Sequence, residues 1–237
     1  MAKWIIPAPV ISGKEAKVGE VTRYIREHKA EHEQSREAAG ITMERVYTME
    51  SPNGLIVVAY QEGRNDFAKT NEMLARSTLP FDIWFFEALK EIHGIDLRQP
   101  APGPAPEILF DWVDPEAKER KHGLAFASPV AAGKTEKGRT FAAEAFGRRV
   151  NELTASRRKI GGTHEFGMLH HTPMGDIFGV YLEGDDPRAA NAGFARSTDA
   201  YDVWFKKEAG DVLGQDFNKP LPAIREILDY QRAMIRA

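Results

Sequence analysis

Two carboxylates, a tyrosine and an arginine recur in each half of this chain, in places where such side chains could act together. Glu44 and Glu62 fall in stretches that read as strands, where carboxylates are unusual, and Glu165 and Glu183 occupy the matching stretches of the second half. Tyr60 and Tyr181 stand two residues before Glu62 and Glu183, and Arg36 and Arg157 stand near the ends of the preceding helices. Drawn together, they would make a polar ligand pocket in each half. Burial raises the pKa of a carboxyl group, so such a carboxylate could take a proton from a bound molecule. The competing reading is a salt bridge between the halves that fixes how two sheets meet. The residues alone leave both readings open.

Other clusters carry a weaker signal. His28-Lys29-Ala30-Glu31-His32 places two histidines one helical turn apart, as a zinc site would. The matching positions are Arg149 and Leu153 and the surrounding run is almost wholly charged, so a solvated helix face is the plainer reading. His164, His170 and His171 share one strand. Neighbouring His170 and His171 point to opposite sheet faces, and His164 and His170 lie about 20 Å apart at ~3.3 Å per residue, so they read as surface or core histidines. No metal site is expected, with His28, His32 and His170 the weak candidates. Gly133-Lys134-Thr135 resembles the end of a phosphate-binding loop, but Ser128 stands where the pattern needs glycine and Glu15 follows Gly13-Lys14 in the first half. A turn between strand and helix is expected there. Arg76 and Arg196 at helix ends, with Asp82 and Asp202 in the first turns that follow, suit the helix dipole. Ser77-Thr78 and Ser197-Thr198 would supply the caps. Trp84 and Trp204 read as core.

Composition narrows the classes. The 237 residues include no cysteine, which removes disulfides, thiolate nucleophiles and zinc–sulfur sites. A net charge of −3 argues against a sequence-independent hold on nucleic acid. No apolar run approaches the ~20 residues that span a membrane, and the opening Met1–Pro7 run is too short for a signal peptide. A soluble cytoplasmic protein is the default expectation.

The elements that must position these residues come twice. Ala75-Arg76-Ser77-Thr78 with Phe81-Asp82-Ile83-Trp84-Phe85 returns as Ala195-Arg196-Ser197-Thr198 with Tyr201-Asp202-Val203-Trp204-Phe205. Each copy reads as an apolar strand (Trp4 to Ala8; Leu124 to Ser128), a polar helix (19–39; 137–159) and a hairpin (41–49 with 55–62; 163–171 with 176–183). Two helices and a last strand (108–113; 224–230) follow, and the last strand of the second copy could instead continue as a helix through Arg236. Pro7 has no place in this pattern. The order β-α-β-β-α-β is ferredoxin-like, with both helices on one sheet face and the other face seeking a partner. Expected domains are 1–114 and 123–237, joined by a linker at 115–122.

This arrangement resembles the dimeric α+β barrel superfamily, with the dimer fused into one chain and the two sheets packed face to face. The Trp-Phe helix, Gly94-x-Asp96 and Gly214-x-Asp216, and the Pro-rich loop that follows are similar to uncharacterised bacterial members. The resemblance implies a small molecule bound in one or both halves. It also admits a cofactor-independent oxygenase, or a haem protein with one of the strand histidines as axial ligand, although no Asn-Trp-His arrangement of haem-degrading relatives is found here. A structural or assembly module is the third reading, and it requires Glu44 to pair with Glu165 with no cavity. No cofactor is evident from the residues, and further association between copies is left open.

Overall fold

Strand and helix alternate as the hydrophobic periods demand. In the computed structural model, which describes residues 1–96, 98–99 and 104–231, the first elements are β1 (Ala2–Pro9), α1 (Glu15–Glu27), α2 (Lys29–Ala38), β2 (Ile41–Ser51), β3 (Gly54–Gly63), α3 (Phe67–Ala75) and α4 (Pro80–His93). They are followed by β4 (Glu107–Val113), β5 (His122–Pro129), α5 (Thr135–Ala143), a π-helical turn (Glu144–Arg148), α6 (Val150–Lys159) and β6 (Gly162–Thr172). The chain closes with β7 (Gly175–Gly184), α7 (Pro187–Arg196), α8 (Ala200–Leu213) and β8 (Ile224–Gln231). β8 is thus a strand over its described length. The Pro-rich stretch at 100–103 and a helix through Arg236 lie outside the described residues.

Two four-stranded sheets result, ordered β1-β3-β2-β8 and β4-β6-β7-β5. The last strand of each copy therefore sits in the sheet built by the other copy's first three strands. Two compact units follow: one holds the chain from Met1 through α4 together with β8, the other runs from β4 through α8. The expected linker, 115–122, runs from just after β4 to the first residue of β5, inside the second unit. Side-chain fit explains the exchange. On β4, Phe110 stacks on Phe146 at 3.7 Å, and its ring fills the space a side chain on Gly167 would need. Trp112 is buried with Ala145, Leu153 and Phe194 and donates to Thr154 Oγ1 at 3.0 Å. On β8, Ile227 and Leu228 pack on the core of Val18, Val21 and Ile25 in the first unit.

The exception at Pro7 resolves here. β1 is the edge strand of its sheet and pairs on one side only, so one missing N–H donor costs no ladder bond on a second side. The two hairpins form as expected, with β2 and β3 closing at Ser51 and Gly54 and β6 and β7 closing at Thr172 and Gly175.

The long helix expected in each copy is broken in both. His28 leaves helical geometry between α1 and α2 (φ −113°, ψ 43°). At the matching point the π turn delivers the chain to Arg149 (φ −105°, ψ 24°). The sequence records the cause. Gly133 matches Gly13 at a spacing of 133 − 13 = 120, whereas Ser156 matches Ser35 at 156 − 35 = 121. One residue is inserted inside this helix, and a π turn is how a helix absorbs one extra residue. Both helices stop at a glycine with positive φ, Gly40 (77°) and Gly161 (74°), where a side chain would be strained.

Candidate functional site

In the first unit α2 lays one face over β2. Three polar residues of that face, His32, Ser35 and Arg36, are 2%, 0% and 1% exposed. They are there to be satisfied by one another and by the sheet, since a buried polar group without partners is costly. Glu44 of β2 is the centre. It accepts from Arg36 Nε at 2.7 Å and from His32 Nε2 at 2.8 Å, and its other oxygen accepts from Gln61 Nε2. Gln61 in turn accepts from Trp4 Nε1 at 2.6 Å. On the far side Arg36 donates to Ser35 Oγ at 2.9 Å, and Ser35 donates to Asp82 at the start of α4.

The second unit repeats the core of this set. Arg157 Nε donates to Glu165 at 2.5 Å and Arg157 donates to Ser156 Oγ at 3.1 Å. Ser156 donates to Asp202 at 2.5 Å, whose second oxygen accepts from Ser197 Oγ at 2.5 Å. The guanidinium lies over Phe194 and Phe205, each about 4.7 Å from the ring centre.

Beside each set lies a cavity between helices and sheet. The first, about 130 Å³, touches Arg36, Glu44 and Gln61 on one wall and Ile25, Ala59 and Leu89 elsewhere. The second, about 100 Å³, touches Arg157 and Glu165 and is otherwise lined by phenylalanines, among them Phe126, Phe178 and Phe194, by aliphatic side chains, and by His164, Glu183 and Asn191.

Of the residues singled out in the sequence, Arg36 with Glu44 and Arg157 with Glu165 are brought together at the cavities. Tyr60 and Glu62 are brought together elsewhere. Tyr60 donates to Glu62 at 2.5 Å, but Gln61, not Tyr60, is the register partner of Glu44, so the strand period turns both residues to the opposite sheet face. Tyr181 likewise donates to Glu183 at 2.7 Å. Glu183 also holds Arg120 through contacts at 2.6–3.1 Å and accepts from the Lys121 amide at 3.1 Å, while touching the rim of its cavity.

Of the two readings left open for the carboxylates, Glu44 and Glu165 each bond to the arginine of their own unit. The expected rise in carboxylate pKa is corrected. Burial does push Glu44 upward, but the Arg36 charge and the His32 bond outweigh it and hold the group well below its ordinary value. Glu183, pushed up by burial, is pulled below the usual range by Arg120. A carboxylate so fully supplied with donors stays ionised and is a poor base near neutral pH.

The asparates and serines do more than the helix-dipole reading allowed. Asp82 and Asp202 are 2% and 3% exposed and anchor the serine beside each arginine. The caps of α4 and α8 are Leu79 and Asp199, neither with a side-chain cap bond; Ser77 and Ser197 accept from those residues' amides at 3.2 and 3.3 Å instead. Arg76 and Arg196 are exposed. Trp84 stacks on Tyr24 at 3.7 Å, and Trp204 lies under Arg149 at 4.1 Å, both outside the cavity walls. Gly133-Lys134 forms the turn before α5, with Lys134 on Asp211 at 3.0 Å.

The histidines do not converge. His28 stacks on Tyr24 and reaches Glu31 at 3.4 Å, His32 is spent on Glu44, and among the described residues no group of three or more potential ligands could hold a metal ion. A haem does not fit the second cavity either. A cavity of about 100 Å³ is smaller than the roughly 150 Å³ that admits benzene, and His164 on its wall is bonded to Asp111 at 3.0 Å.

His170 has a different consequence. Its Nε2 is buried without a partner, and burial, helped by the charge of His171, lowers its pKa to about 4 from 6.5. A depressed histidine is protonated first in the unfolded chain, so stability is lost as the pH falls from 6.5 towards 4. His170→Leu is expected to retain about 1–2 kcal/mol at pH 5 relative to the parent, each referred to its own pH 7 value. Urea unfolding at the two pH values measures this, and equal losses in parent and variant would refute it.

Among the described residues no helix is long and apolar enough to cross a membrane. No family model and no curated protein matches the sequence. Solved structures do match it in fold. A putative monooxygenase from Lactobacillus acidophilus NCFM superposes with a TM-score of 0.53 at 11% identity, covering 98% of this chain and 97% of that one. A putative monooxygenase from Fusobacterium nucleatum gives 0.50 at 12% identity, covering 97% and 96%. An anthrone oxidase-like protein gives 0.50 at 10% identity, covering 98% and 96%. The fold is α+β of the dimeric α+β barrel type, and at these identities the likeness extends to fold alone.

Proposed function

We propose that the protein binds small, largely apolar molecules in the cavities between helices and sheet. The observation that carries this is the recurrence of the cavity. The two linings differ in most side chains, yet each unit keeps an opening at the same place beside a buried arginine–glutamate pair. A core selected for stability alone would have closed at least one of them, because empty apolar volume is destabilising. Solved structures of this fold that are named as monooxygenases agree with a small-molecule site.

The test is an NMR titration of the methyl groups with toluene and phenol. Saturable shifts are expected at Ile25 and Ile227 around the first cavity and at Ile160 and Val212 around the second. Ala59→Leu, which fills the first cavity from β3, is expected to weaken binding there at least about tenfold while the melting temperature holds or rises. Absence of saturable shifts from both probes would sink the reading.

A second reading, an oxygenase that needs no cofactor, is favoured by one side chain. His93 lines the first cavity, donates from Nδ1 to Pro9 O at 2.8 Å, and is lowered in pKa by burial. With Nδ1–H donating to that carbonyl, the imidazole is neutral and its Nε2 is free to accept a proton from a ligand hydroxyl. Oxygen uptake in the presence of a phenol, abolished in His93→Leu, would support catalysis. No uptake with phenolic probes that bind would leave binding as the function.

A further inference from the structure

The two cavities share a position and an arginine–glutamate pair, and the second also brings His164, Glu183 and Asn191 to its wall, but their polar groups stand in different places. Three polar side chains on the wall of the first are replaced by hydrocarbon in the second: Gln61 by Leu182, Thr70 by Ala190, and His93 by Leu213. In the reverse direction the aliphatic Val57 and Leu74 of the first become Phe178 and Phe194 of the second. Fold maintenance does not require the polar set, since the second unit builds the same elements without it.

Thr70 sharpens this contrast. It sits on α3, is 2% exposed, and its hydroxyl has no hydrogen-bond partner. A buried hydroxyl left unpaired lowers stability. The usual remedy for a helical threonine is a bond to the carbonyl one turn back, but here only the backbone amide of Thr70 bonds to Asp66 O. Across the cavity, Gln61 spends its oxygen on Trp4 and one amide hydrogen on Glu44. An amide nitrogen carries two hydrogens, and among the described residues none of the hydrogen bonds engages the second. The first cavity thus offers a hydroxyl that can donate and accept and an N–H that can donate.

We infer that the two cavities have different occupants. The first selects a single-ring molecule bearing a hydroxyl or carbonyl oxygen, held by Thr70 and Gln61, and the second, whose His164, Glu183 and Asn191 bond to Asp111, Arg120 and the Leu221 amide, favours the ring without the oxygen. Size sets the limit of one ring, because about 130 Å³ is close to the roughly 150 Å³ that holds benzene. The chemistry of the donors sets the oxygen. A site built to bond a ligand hydroxyl disfavours the analogue lacking it, since its polar groups then stay unpaired. The inference rests on the small-molecule reading above and adds which unit reads the polar atom.

Phenol and toluene test it, being alike in shape and differing in the hydroxyl. In the methyl titration the first cavity should prefer phenol relative to the second, judged by the ratio of the two affinities at each site. Thr70→Val removes the hydroxyl at constant shape. It should lower the phenol-to-toluene ratio at the first cavity by about five- to tenfold, leave the second cavity unchanged, and keep or raise the melting temperature. Ala190→Thr should raise the same ratio at the second cavity, which tests the idea in the other direction without touching the first. Equal ratios at both cavities, or a ratio indifferent to Thr70→Val, would overturn the inference while leaving small-molecule binding intact. Failure of both probes to bind either cavity would overturn both readings together.

Discussion

Arg36→Met should cost the protein about 3–5 kcal/mol of unfolding free energy at neutral pH, the range for removing one partner of a buried ion pair. Arg36 and Glu44 are 1% and 3% exposed, so neither can turn to water when the other is lost. The variant leaves Glu44 charged in a closed site with His32 and Gln61 as its remaining donors. Part of the loss is packing, because the guanidinium also lies over Phe85, 4.8 Å from the ring centre. The double variant Arg36→Met with Glu44→Met separates the two contributions. It removes both charges and should be less damaged than Arg36→Met alone, although His32 and Gln61 then lose their acceptor. A coupling of about 2–3 kcal/mol in the double-mutant cycle is expected, and additive losses would show that the pair is not what holds α2 to β2.

The same variant should have a characteristic pH dependence. Glu44 is held below its ordinary value of 4.5 by Arg36 and His32. A depressed carboxylate contributes stability that is fully present above the unfolded pKa and is lost as the pH falls, because the unfolded chain takes up the proton first. Without Arg36 that contribution is largely gone already, so acid has less left to remove. The difference in stability between parent and Arg36→Met should therefore shrink between pH 7 and pH 3.5. A difference that stays constant with pH would mean that the arginine acts through packing alone.

These residues also mark how far the sequence could be read. Arg36 with Glu44, and Arg157 with Glu165, were visible because the chain states the pair twice at one spacing. Grouping Tyr60 and Glu62 with them failed for a geometrical reason. Nearness along a strand places neighbours on opposite faces, and the residue that joins Glu44 is its register partner Gln61, which has no polar counterpart to draw attention to it. His32 stood out for its spacing from His28, but the helix breaks at His28, and the imidazole serves the carboxylate across the helix–sheet interface. Asp82 looked like a helix-dipole residue because its partner Ser35 is 82 − 35 = 47 positions away. The exchange of last strands was invisible for a related cause. The pattern of β4 is satisfied by either sheet, and what selects one is the gap at Gly167 that accepts Phe110. The insertion of one residue, by contrast, could have been read directly. The spacing between copies steps from 120 to 121 inside the helix where the π turn forms.

The glycines at the foot of each site give the second large effect. Gly184→Ala is expected to lose about 3 kcal/mol, at the upper end of the overpacking range, and Gly63→Ala at the matching position about 1–2 kcal/mol. Gly184 ends β7 against the stop of α6. A methyl group there would lie 2.3 Å from Gly161 O and 3.1 Å from Gly161 C. Those atoms are backbone, fixed by the bond from the Asp185 amide to Gly161 O at 3.1 Å. Relief requires the end of α6 to move, and that end carries Ser156 and Arg157, so the Arg157–Glu165 contact should loosen with it. At Gly63 the methyl would meet the ring of Trp4 at 2.7 Å and Gly40 O only at 3.3 Å. A side chain can shift where backbone cannot, but the shift moves a wall of the first cavity and the Trp4 bond to Gln61. Gly63→Ala should therefore weaken toluene binding at the first cavity by several-fold out of proportion to its small stability loss, while Gly184→Ala should lower the urea midpoint more. If the two alanines cost the same and toluene binding follows stability in both, the close backbone approach at Gly184 and the contact of Gly63 with Trp4 do not control these sites.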